Sequence, residues 1–273
     1  MIPHKDQAAG LRRLMAGPRP RVISLLSAAS KTEHARLMVN LAASLQRQGN
    51  KVLIMEATPA SILEAKHYGI DAEQGTLLEA VMRPELHQPF MIQREGFAAA
   101  KLLPESSACR LLQDEAIHAQ VERIFSAMTS QHDVTLVDAA LSMQEAMPLH
   151  TLNHGEIMIH MTREANSITQ AYTLIKQLCQ QVGRRSFDIV VSHSNEAQAQ
   201  VIFNNIATVA RQHLYIELHF AGLIPADEHL GIAARLGRSV IDAFPMAKAS
   251  AAFKALAGKI DHNSVLLPEA SLS

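Results

Sequence analysis

The chain has 273 residues, enough for one large or two small domains with a sizeable buried core. Hydrophobic residues make up 48% and charged residues 19%, a composition that excludes an intrinsically disordered chain. With 25 Lys+Arg against 26 Asp+Glu the net charge is −1, and no basic stripe is present, so nucleic acid is not an expected partner.

The N-terminal stretch MIPHKDQAAGLRRLMAG lacks the apolar core of a secretory signal. No apolar run approaches the roughly 18 residues of a membrane span. Cys109 and Cys179 are far apart and form no CxxC pair, which fits a reducing compartment and makes the cytoplasm the expected location. Asp6–Met15 is helix-compatible, with Asp6 as an N-cap or first-turn acid and Gln7, Leu11 and Leu14 on one face. Gly17-Pro18-Arg19-Pro20 then breaks that helix.

Strand candidates follow at Arg21–Ser27, Lys51–Glu56, Ala98–Leu103, Val134–Asp138, Glu156–Met161, Phe187–His193 and Tyr215–Ile224. They are near-continuous apolar runs, the pattern of strands buried on both faces. Amphipathic helices lie between them. In 34–48 the stripe is Leu37, Leu41 and Leu45, closed by Gly49-Asn50. In 164–182 it is Ile168, Ala171, Tyr172, Ile175, Leu178, Cys179 and Val182; in 197–212 it is Ile202, Ile206 and Val209. This alternation predicts an α/β fold, a mostly parallel central sheet with helices on both faces. The expected organisation is an N-terminal helix and linker over 1–20, one α/β domain over 21–262 and a tail over 263–273.

Glycine is scarce: 12 residues, where average usage gives about 19. None lies between Gly17 and Gly49, the stretch that links the first strand to the first long helix.

Four motifs occur in order: Asp6-Gln7-Ala8-Ala9-Gly10-Leu11-Arg12, the segment Arg163–Lys176 (REANSITQAYTLIK), Ala221–Asp227 (AGLIPAD), and Phe244-Pro245 before a closing helix over 246–260. In this order and spacing they resemble the MinD/ParA branch of P-loop ATPases, and within it the FlhG/FleN regulators of flagellar number. The first is similar to that family's DQAxxLR activator motif. The resemblance implies the MinD-like P-loop architecture and a role in flagellar biosynthesis through protein–protein contacts. It implies that Asp6, Gln7, Ala8, Leu11 and Arg12 contact FlhF, a signal-recognition-type GTPase, and stimulate its hydrolysis of GTP. A flagellar transcriptional activator or a basal-body protein is the other partner it implies.

The catalytic loop departs from the family pattern. Where the family has SGKGGVGKT, this chain has Ser27–Ala35 without a gap. The family's glycines fall on Ala28, Ser30, Lys31 and Glu33, its signature lysine on Ala29, its phosphate lysine on His34 and its magnesium threonine on Ala35. A phosphate cradle needs inward N–H groups, some at positive φ that glycine adopts cheaply, with a lysine on the phosphates and a hydroxyl on Mg²⁺. Glu33 puts a carboxylate where phosphates would sit. Of the family's acids, Glu56 and Asp138 remain, while Thr58 stands where the water-positioning acid would be. The strand that ends in an adenine-contacting Asn in the family here ends Ser192-His193. Asp138 is read as a retained structural acid and His34 as a polar residue on a decayed loop.

The reading is a pseudo-ATPase that takes no nucleotide or magnesium cofactor, monomeric or a nucleotide-independent dimer. The rival readings are a weak ATPase using Lys31, His34 and Asp138, and an antiactivator of a flagellar transcriptional regulator. Fourteen histidines invite a metal reading. His150 and His154 are four apart in what reads as a loop, PLHTLNHG, and no Cys or carboxylate completes a ligand set at characteristic spacing, so no metal is expected. The C-terminal stretch Lys259–Pro268 carries one lysine and a proline, too weakly basic for a membrane-binding helix, so no direct membrane anchor is expected.

Overall fold

The computed structural model describes residues 20–58, 75–83, 91–93, 97–103, 114–141 and 147–266. The N-terminal motif residues Asp6, Gln7, Ala8, Leu11 and Arg12 lie outside them. Among the described residues eight strands form one sheet: β1 Arg21–Ser27, β2 Val52–Glu56, β3 Met91–Gln93, β4 Ala98–Lys101, β5 Val134–Asp138, β6 Glu156–Thr162, β7 Phe187–Ser192 and β8 Leu218–Ile224. Their order is β3-β4-β2-β5-β1-β6-β7-β8, with seven strands parallel and β3 antiparallel at one edge. The helices are α1 Lys31–Arg47, α2 Leu77–Met82, α3 Glu115–Thr129, α4 Ala165–Val182, α5 Glu196–Leu214, α6 Glu228–Arg235, α7 Val240–Ala243 and α8 Lys248–Leu266. A 3₁₀ turn spans His150–Asn153.

The apolar strands divide their side chains by the period of two that a pleated strand imposes. On one face Ile23, Leu25, Ile54, Leu136 and Met158 meet α1, α6, α7 and α8. On the other Leu26, Leu53, Met55, Val137, Ile159 and Met161 meet α2, α3, α4 and α5. Both faces of the sheet are buried by apolar layers, so a run such as Val134–Asp138 needs no polar alternation. No helix among the described residues is long and apolar enough to cross a membrane.

Several expectations shift at their edges. Leu102 and Leu103 lie beyond β4, and β8 begins at Leu218 rather than Tyr215. Tyr215 sits in the left-handed region (φ 57°) and closes α5, so the helix consumes residues expected in the strand. Val209 is exposed on α5, and the small residues Ala199, Ala207 and Ala210 fill the contact with the sheet in its place. The expected loop around His150 contains a 3₁₀ turn. The C-terminal helix runs to Leu266, past the expected start of a tail at 263.

Strand β1 lies between β5 and β6. The chain leaves β1 toward β2 on one side and later crosses from β5 to β6 on the other. That reversal opens a crevice at the carboxyl end of β1, where ligands bind in open parallel sheets.

Candidate functional site

The crevice collects residues 27–35 from the β1–α1 connection, Asp138 from β5, His160 from β6 and Ser192-His193 from the end of β7. The connection is short because α1 starts early, at Lys31. Ser30 caps the helix: its Oγ accepts from the Glu33 N–H (3.3 Å) and donates to Glu33 Oε2 (3.0 Å). The His34 N–H donates to the Ser30 carbonyl (2.9 Å), the Ala28 N–H to the His160 carbonyl (2.8 Å) and the Ala29 N–H to Ser27 Oγ (3.0 Å). Four N–H groups of this segment are therefore engaged within the protein. Among the described residues, positive φ occurs at Gly49, Gly183, Gly237, His193 and Tyr215, and none of these lies in 27–35.

His34, expected as a polar residue on a decayed loop, lies in the first turn of α1. It is 5% exposed, and its Nε2–H donates to Asp138 Oδ1 at 3.1 Å. Asp138, at the end of β5, is thus tied to α1 through His34. The His34 ring stacks on His160 with centroids 5.7 Å apart and planes 25° apart. His160 is 1% exposed, and its Nε2 lies 2.8 Å from Ser192 Oγ. Burial, reinforced by the neighbouring His34 and His193, holds the His160 imidazole well below the usual 6.5, so it is neutral at pH 7. A chain of polar side chains therefore links β5, α1, β6 and β7 across the crevice.

A second pair closes its outer side. Glu33 Oε1 lies 2.9 Å from His193 Nε2. His193 takes the left-handed conformation (φ 57°), and its N–H donates to the Ile224 carbonyl (2.9 Å). Such a backbone costs about 1–3 kcal/mol in a non-glycine residue and persists where the surroundings hold it. Ala29 and Lys31 stay at the rim and Ala35 is buried in the α1 face. Glu56 is fully buried at the end of β2, with Lys101 and Asp138 as its register neighbours on β4 and β5.

The weak-ATPase reading grouped Lys31, His34 and Asp138; His34 and Asp138 are paired, while Lys31 is exposed at the rim. Sequence reasoning missed His160, whose signal was a single polar residue inside the apolar run EIMIHM. A cavity of about 700 Å³ lies away from this crevice, near the amino ends of the strands, lined by Arg21, Glu156, Asp188, His219 and Lys259 among others. It contains none of the loop residues 27–35.

The fold is that of the MinD/ParA P-loop ATPases. It superposes on the cell-division ATPase MinD of Pyrococcus furiosus with a TM-score of 0.64, at 17% identity over 89% of this chain and 99% of that one. A ParA-family ATPase of Chlorobium tepidum gives 0.59, at 18% identity over 88% and 98% of the two chains. No protein-family model matches the chain. In sequence the chain is similar to the antiactivator FleN of Pseudomonas aeruginosa, 27% identical over 245 residues, 88% of this chain and 86% of FleN.

Proposed function

We propose that this protein is a FleN-type regulator of flagellar biosynthesis that acts by protein–protein contact and neither binds nor hydrolyses ATP. The observation that carries this reading is the state of the segment 27–35. A magnesium nucleotide does not fit these residues: four N–H groups are engaged internally, no residue of the segment is left-handed, and Ala29, His34 and Ala35 stand at the family's lysine and threonine positions. Glu33 adds a carboxylate that repels phosphate oxygens. Losing charge-assisted hydrogen bonds of about 1.5–3 kcal/mol each removes orders of magnitude in affinity. Titrating the full chain with a fluorescent ATP analogue and Mg²⁺ is expected to show no saturation up to about 1 mM, a weak-binding limit of roughly −4 kcal/mol. Saturable binding below that level supports the weak ATPase instead.

Two partners follow from different features. The DQAxxLR-like residues Asp6, Gln7, Ala8, Leu11 and Arg12 favour FlhF. On this reading full-length protein raises the GTPase rate of FlhF without ATP, and Gln7→Ala abolishes the rise. The likeness to a protein named an antiactivator favours a transcriptional activator as target, with residues 21–262 as the docking domain. That activity survives Gln7→Ala, which separates the two. Both readings place the protein in the cytoplasm as a monomer or a dimer indifferent to nucleotide, an indifference that size-exclusion chromatography with and without ATP checks.

A further inference from the structure

A second histidine cluster lies outside the crevice. His118 and Glu122 stand one turn apart on α3, on the same helix face, and the 3₁₀ turn brings His150 to them. One donor atom from each lies within 4.8 Å of the other two, and His118 Nε2 is 3.9 Å from Glu122 Oε1. The two imidazole rings touch, with centroids 4.4 Å apart. Neighbouring Thr151 fixes the carboxylate: its N–H donates to Glu122 Oε1 at 3.2 Å and its hydroxyl donates to Oε2. An orienting hydrogen bond of this kind supports a metal-binding carboxylate.

We propose that His118, Glu122 and His150 form a binding site for a borderline divalent cation of the Zn²⁺ class. Two imidazole nitrogens and one carboxylate oxygen suit Zn²⁺ better than Mg²⁺ or Ca²⁺, which take oxygen sets. Bonds of about 2.0–2.2 Å put tetrahedral ligands roughly 3.3–3.5 Å apart, so the cluster needs to contract by about an ångström. His150 supplies that movement, since it is exposed and sits on a short turn. Water completes the shell on the open side. The cation would tie α3, which precedes β5, to the turn that follows β5. It would thus clamp both flanks of the strand that carries Asp138.

The test uses untagged full-length protein, Zn²⁺ by calorimetry and Co²⁺ as a visible-absorption probe. One equivalent of Zn²⁺ is expected to bind with a Kd on the order of 10 µM. H118Q and H150Q each weaken it at least about tenfold, and T151V about tenfold or more. H154Q, on the same turn but outside the cluster, leaves it unchanged. Absence of saturable Zn²⁺ binding overturns the proposal. So does equal affinity in H118Q or H150Q, which identifies adventitious binding at other histidines. Circular dichroism checks each fold, and H150Q, altered at an exposed side chain, decides the matter should the half-buried H118Q unfold.

Discussion

Among the described residues two pairs of histidines meet ring to ring, and their surroundings give them opposite characters. His34 and His160 are sealed at the carboxyl ends of the central strands, one paired with Asp138 and the other beside Ser192. His118 and His150 meet at the edge of α3, where His150 is open to water. In the first pair burial excludes water, so each polar contact is costly to lose, and the His160 imidazole resists protonation. In the second, solvent screens the charges and leaves one ring free to move toward a ligand. The same residue type is a fixed internal link in one place and an adaptable donor in the other.

The largest effect is expected from breaking the buried pair. Asp138→Ala leaves His34 buried with a lost acceptor and should lower stability by about 1–3 kcal/mol in urea unfolding. Asp138→Asn keeps an acceptor oxygen and should cost less. A cost for Asp138→Ala no greater than for Glu122→Ala would erase the contrast between the two sites.

The next effect is pH-dependent. His160 is held well below 6.5 by burial first and by His34 and His193 next, whereas the unfolded chain takes up the proton near 6.5. The unfolded state therefore binds more protons as the pH falls. Stability from this site is complete above about pH 6.5 and is lost progressively as the pH drops below it, by at most about 1.4 kcal/mol per unit. His160→Gln should flatten this slope. An unchanged slope would locate the acid sensitivity elsewhere. The smallest effect is expected at the outer pair, where Glu33→Gln should move the unfolding midpoint by the equivalent of about 0.5 kcal/mol or less, because both partners are partly in solvent.

Much of the fold was legible because buried parallel strands leave a strong local mark. Arg21–Ser27 and Val134–Asp138 read directly from their apolar runs, and Leu37, Leu41 and Leu45 all pack inside α1. The three-residue β3 was not legible, since so short an edge strand has no period to detect. Tyr215 and Val209 went astray because helix length and small-residue packing on α5 were set by the sheet beneath it.

At the site, the order of residues alone determined that no glycine stands in 27–35. It determined that Asp138 ends a central strand. Only tertiary structure decided what these residues do instead. His34 meets Asp138 across 104 positions of chain, and His160 joins them from another strand. His118 and Glu122 meet His150 in the same non-local way, so a search at fixed spacing passed over the cluster. Local pattern fixes which face of an element is apolar; which polar atoms then face one another depends on strand order and crossings, distances that no window along the chain contains.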